Sequence, residues 1–145
     1  MKLKDKLALG AGSAFTVSFF LPALDSNSGY SCLVDCWRVF IRSEESSLGG
    51  WLYYSGFVVA NALFVTLWLT LFHSVRHAQA RLWIAILSSL HVLSWFILNL
   101  AQGEQLSLGI GYYIWLLSYL LLVGSLACIR SGECPSPPDH SLKSE

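Results

Sequence analysis

The sequence predicts an all-α membrane protein: a four-transmembrane-helix antiparallel bundle with a short extracytoplasmic amphipathic helix in loop 1. Three observations carry that expectation. The 145 residues are 54% hydrophobic and only 12% charged, about half the charge of an ordinary soluble domain. The apolar residues gather into four long runs, at about 7–24, 49–72, 82–101 and 106–129. The basic residues concentrate in alternate connecting segments. Together these leave room for one membrane domain over 1–130, followed by a Ser- and Pro-rich tail over 131–145 that reads as disordered and cytoplasmic.

The first run, Leu7 to Leu24, is uncharged and spans roughly 27 Å as a helix, close to a hydrocarbon core. Lys2, Lys4 and Lys6 before it resemble the basic region of a signal peptide. The run is longer than the apolar part of such a peptide, and Asp25-Ser26-Asn27 lacks a small-residue cleavage pattern, so a retained helix is expected. Pro22 falls in its last turn, where an early end costs little. The second run carries one strongly polar residue, Asn61; the third carries His91 and Asn99. The fourth is polar only through small residues and Tyr. These runs are too long for barrel strands, which show short alternating segments.

Seven Lys and Arg lie in the N-terminal segment, the second loop and its edge, and the tail; two, Arg38 and Arg42, lie in the first loop. The positive-inside rule therefore expects both termini in the cytoplasm. Trp51, Tyr53 and Tyr54 at one face, with Trp95, Tyr112, Tyr113 and Trp115 toward the same face, and Trp68 and Trp83 at the other, suit headgroup depth; an aromatic ligand pocket is the alternative reading of these rings. Small size, compact loops and the absence of an N-x-S/T sequon point to a bacterial inner membrane. Pairs of small residues four apart, Gly10/Ala14, Gly56/Ala60 and Gly124/Cys128, offer close helix approach.

Asn61 and His91 fall at matching depth on neighbouring antiparallel helices, with Thr16 and Ser118 at similar depth on the other two. Ser88, His91, Trp95 and Asn99 make one stripe on the third helix. Such a polar layer is either a ligand, proton or quinone site, or interhelical hydrogen bonding worth about 0.6 kcal/mol per pair. His73 and His77 are four apart but have no acidic or Cys partner nearby in sequence, so no metal is expected. Haem ligation would need a second His facing His91, so no cofactor is expected.

Ser31 to Arg42, SCLVDCWRVFIR, places Leu33, Cys36, Trp37, Phe40 and Ile41 at helical spacing, with Asp35, Arg38 and Arg42 elsewhere. It reads as an amphipathic helix on the membrane surface or capping the bundle. Cys32 and Cys36 sit where a disulfide is permitted, although C-x-x-x-C within one helix is awkward geometry for a bridge. Four helices with an exposed cysteine pair resemble the quinone-coupled disulfide oxidoreductases in architecture. That resemblance implies a thiol–disulfide activity at Cys32 and Cys36. The chain departs from the family's C-x-x-C spacing and lacks its second extracytoplasmic pair, which leaves the exchange step without a partner. The W-G-L-W-C-C pattern of claudin-like proteins is absent.

Walker A, H-E-x-x-H and G-x-S-x-G motifs are also absent, which argues against a nucleotide-driven pump or a hydrolase. The leading expectation is a non-enzymatic accessory, assembly or interaction subunit of a membrane complex. Its partners would be the lipid bilayer and other subunits or a second copy, and not nucleic acid, since the net charge is zero. The alternatives are a thiol–disulfide oxidoreductase using Cys32 and Cys36, and a small transporter or channel built on Asn61 and His91.

Overall fold

Lys2 opens the first of five helices that hold most of the residues described by the computed structural model, which are 2–42, 47–71, 77–102 and 108–131. In chain order these are α1 (Leu3–Ser18), a hairpin of β1 (Pro22–Leu24) and β2 (Asn27–Ser28), α2 (Gly29–Arg42), α3 (Leu48–Leu71), α4 (Ala78–Gln102) and α5 (Ile110–Ser131). The protein is therefore nearly all helical. Three helices are long and apolar enough to cross a membrane: α3, α4 over Ala78–Leu98, and α5. The chain is accordingly a helical integral membrane protein.

The first apolar run is helical for only part of its expected length. Its helix is 16 residues long and stops at Ser18 rather than Leu24. The end is local chemistry. The Phe19 and Phe20 amides donate back three residues, to Thr16 and Val17, which tightens the last turn. Pro22 then biases Leu21 away from helix. Asp25 (φ 46°) and Ser26 (φ 70°) turn the chain in the left-handed region, and positive φ at both central residues suits a two-residue hairpin. The Gly29 amide donates to Leu21 O (3.1 Å) and Tyr30 N–H to Phe19 O (3.0 Å), tying the start of α2 to the end of α1.

The fourth span also starts later than expected, at Ile110. Leu108 bridges to Leu24, and the Gly109 amide donates to Ala23 O across 3.0 Å. These two residues serve the hairpin instead of the helix. A Cβ on Gly111 would lie 2.7 Å from Leu21 O and 2.8 Å from Pro22 O, so only glycine lets the hairpin backbone rest there. The other boundaries fall near their expected places. Ser47 caps α3 by accepting the Gly50 amide (3.0 Å), and Ser28 accepts the Ser31 amide (3.3 Å) at the start of α2. The tail beyond Ser131, Cys134, His73 and most of the second and third loops lie outside the described residues.

α1 runs antiparallel along α5. Gly10 faces Leu121, Gly124 faces Leu7, and Ser125 Oγ donates to Lys4 O (3.0 Å). The glycines of two of the three expected small-residue pairs therefore lie in this contact, each against a leucine of the other helix. α5 then packs on α4 and α4 on α3. α1 and α3 touch toward the end remote from α2, through stacked Phe15 and Phe64 rings (4.1 Å) and a hydrogen bond from Trp68 Nε1 to Ala8 O (2.7 Å). A Cβ on Gly12 would lie 2.6 Å from that indole. Phe64, Val92, Tyr119, Leu122 and Leu126 form the buried centre.

Candidate ligand cavity

Between the hairpin, α2 and the near ends of α3, α4 and α5 lies a cavity of about 390 Å³. That volume falls within the range of small-molecule sites. α2 forms its roof through Cys32, Leu33, Cys36 and Val39, which recur one turn apart on a single face. Trp37 and Ile41, expected on the same apolar face as Cys36, point outward and are half exposed or more. α2 is thus apolar toward the cavity and again toward its surroundings. Its charged residues do not separate those two faces cleanly: Asp35 reaches the rim, where it pairs with Arg38 at 3.1 Å.

The walls are aromatic. Trp95 stacks on Tyr53 (5.7 Å) and meets Phe57 edge-on (5.6 Å); Phe57 lies 5.9 Å from Trp115. Tyr112 is buried and donates to Val92 O (2.8 Å), fixing α5 against α4. The floor is Asn61. Its Nδ2 donates to Phe57 O (2.8 Å) and its Oδ1 accepts from Trp115 Nε1 (3.1 Å). An amide has two donors and two acceptor positions, so one of each remains. Among the described residues no Lys or Arg lines the cavity.

The expected polar layer is only partly assembled. Asn61 faces the cavity, whereas His91 lies behind Phe57 (4.6 Å) and edge-on to Tyr53 (5.4 Å). The imidazole fills the space left by Gly56, and its Nε2 has no hydrogen-bond partner among the described residues. Ser118 is fully buried but donates to Trp115 O in its own helix (2.6 Å). Thr16 is exposed and donates to Gly12 O (2.9 Å), so it faces away from the others. Of the stripe on α4, Ser88 is buried and Trp95 reaches the cavity; the side chain of Asn99 lies outside the described residues. His77 is exposed before α4 at φ 62°. No cluster of metal-ligating side chains occurs among the described residues.

Cys32 and Cys36 are both free thiols. Burial, then Asp35, raises Cys32; burial, then Cys32 and Asp35, pushes Cys36 up to about 11. Both stay protonated at neutral pH, and the thiolate is the reactive form. The sequence places the cysteines on the cap and offers an aromatic pocket only as an alternative; the cavity itself draws on α1, both strands, α2, α3, α4 and α5, which share no motif. No family model, curated protein or solved structure matches the chain.

Proposed function

We propose that the protein is a non-enzymatic binding subunit of the membrane that holds a small, uncharged, lipid-soluble molecule in the cavity beneath α2. The observation that carries this reading is the cavity itself: aromatic walls, no basic side chain among the described residues, and the Asn61 amide with spare hydrogen-bonding capacity at the floor. A few placed polar groups in an apolar pocket give orientation without a charge requirement. In this reading α1 is a fourth span, supported by its antiparallel run beside α5 from Lys4 to the hairpin. Both termini then lie in the cytoplasm, as the basic residues favour. The α2 cap faces outward, in a bacterial inner membrane. The accessory role takes the form of a subunit that presents or senses its bound molecule.

Two other readings have less support. Thiol–disulfide exchange needs a thiolate, and burial opposes one at Cys32 and Cys36. A channel through Asn61 and His91 needs a polar path between them, and Phe57 lies between. The test uses full-length protein in nanodiscs carrying C128S and C134S. Alkylation of Cys36 is followed against added 1-monooctanoylglycerol. The expected result is saturable protection that a cavity-filling Val39→Trp variant abolishes. Protection that never saturates, or that persists in Val39→Trp, rejects the reading.

A further inference from the structure

The cavity has a neighbour. A groove of about 340 Å³ runs along the surface between α1 and α3 below α2. Its walls are apolar except at Asn61, and three residues, Phe19, Leu33 and Asn61, line both spaces. These side chains stand at the boundary of the two. Away from α2 the groove ends where α1 and α3 close on each other, at the Phe15–Phe64 stack and the Trp68 hydrogen bond to Ala8. Toward the surroundings it is open: Ala62 and Val65 on its floor are exposed. From Val58 to Val65 it follows α3 for about 10 Å.

We infer that this groove receives the single hydrocarbon chain of an uncharged lipid whose carbonyl- or hydroxyl-bearing head occupies the cavity, and that the lipid passes between α1 and α3 beneath Leu33. This rests on the cavity reading above and gives its ligand a chemical class. Four features select that class. The head is neutral, because among the described residues no cation lines the cavity to receive an anion and Asp35 is already paired with Arg38. It carries a carbonyl or hydroxyl, because the amide of Asn61 has one donor and one acceptor position left at the junction. The tail is one chain, because the furrow that shares Phe19, Leu33 and Asn61 with the cavity runs between just two helices and closes at Trp68. The route is lateral, because an exposed apolar furrow in a membrane protein faces hydrocarbon chains, and a molecule dissolved there reaches Asn61 without crossing water.

The test is photocrosslinking in nanodiscs with full-length protein and a 1-monoacylglycerol bearing a mid-chain diazirine. The expected adducts concentrate on Phe15 to Phe19 and Val58 to Val65. They fall about ten-fold in Ala62→Trp, equivalent to about 1.4 kcal/mol of lost binding. Because Ala62 is exposed, a Trp there fills the groove without disturbing the core; Val65→Trp is the second variant. A diazirine-bearing fatty acid, which is anionic, and a phosphatidylcholine, which has two chains, label the groove no more than the outer face of α4. Adducts spread evenly over the groove and the α4 residues Leu87, Leu90 and Ile97, or unchanged in both Trp variants, overturn the inference. So does equal groove labelling by the fatty acid or the phosphatidylcholine. The two failures are distinguishable. If 1-monooctanoylglycerol still protects Cys36 saturably while the chain finds no groove, the cavity stands and the chain site falls; if protection is also lost, both fall.

Discussion

The Trp115 indole N–H donates to the side-chain oxygen of Asn61 across 3.1 Å, joining α5 to α3 at the floor of the cavity. The amide completes its own geometry by donating to Phe57 one turn back. A single side chain therefore fixes two cavity walls and faces the space between them.

That link predicts a measurable coupling. In a double-mutant cycle of Asn61→Leu and Trp115→Phe, unfolding in mixed micelles should give a coupling of about 0.6 kcal/mol, the usual size within membranes. Each single variant leaves one partner unpaired, and the double variant should lose less than their sum. Strict additivity would mean the contact contributes nothing.

Gly56 predicts a steric effect. A Cβ there would collide with the His91 ring, so Gly56→Ala should destabilise the fold by about 1–3 kcal/mol, as overpacking does. Adding His91→Ala should recover most of that loss. If the double variant is no more stable than Gly56→Ala, the ring is not what fills the space, and denaturant midpoints decide between the two.

At the hairpin, Gly111→Ala directs a methyl at the backbone carbonyls of Leu21 and Pro22. Backbone cannot step aside as a flexible side chain can, so the hairpin and the α2 roof must move. Alkylation of Cys32 and Cys36 should become faster at fixed pH, while α3 and α4 keep their helical signal by circular dichroism. Unchanged thiol kinetics would show that the hairpin does not hold the roof.

The thiols predict a pH dependence. In the folded protein Cys36 keeps its proton until about 11, whereas an exposed cysteine ionises near 8.5. Alkylation of folded protein should stay slow through pH 9 and rise toward 11. The raised folded value also sets the sign for stability: the contribution is fully present below the unfolded pKa and is lost as pH rises through the folded one. Denaturant midpoints should therefore fall between about pH 9 and 11, and the fall should shrink in Cys36→Ser. A Cys36 alkylation profile centred near 8.5 would show that α2 leaves the thiol open to water.

Much of this protein was legible in one dimension. Uninterrupted apolar runs over 49–72, 82–101 and 106–129 determine three helices long enough to cross a membrane, because a backbone in hydrocarbon must satisfy its own hydrogen bonds. The spacing in Ser31 to Arg42 determined a helix in the first loop. Tertiary structure decided what local pattern could not. Leu21 to Leu24 looked like the end of a helix, but Pro22 and the bare backbone of Gly109 and Gly111, some 85 residues later, make it part of a hairpin. Thr16 looked like a member of a buried polar layer, yet depth along an axis does not fix rotation about it, and its hydroxyl turned to its own helix. His91 was expected level with Asn61, yet its ring packs at Gly56 and against Phe57, more than a turn of α3 away from that amide. The cavity has no sequence signature, because it is the space left when a hairpin, a capping helix and three long helices pack, and only their mutual placement gives it a shape.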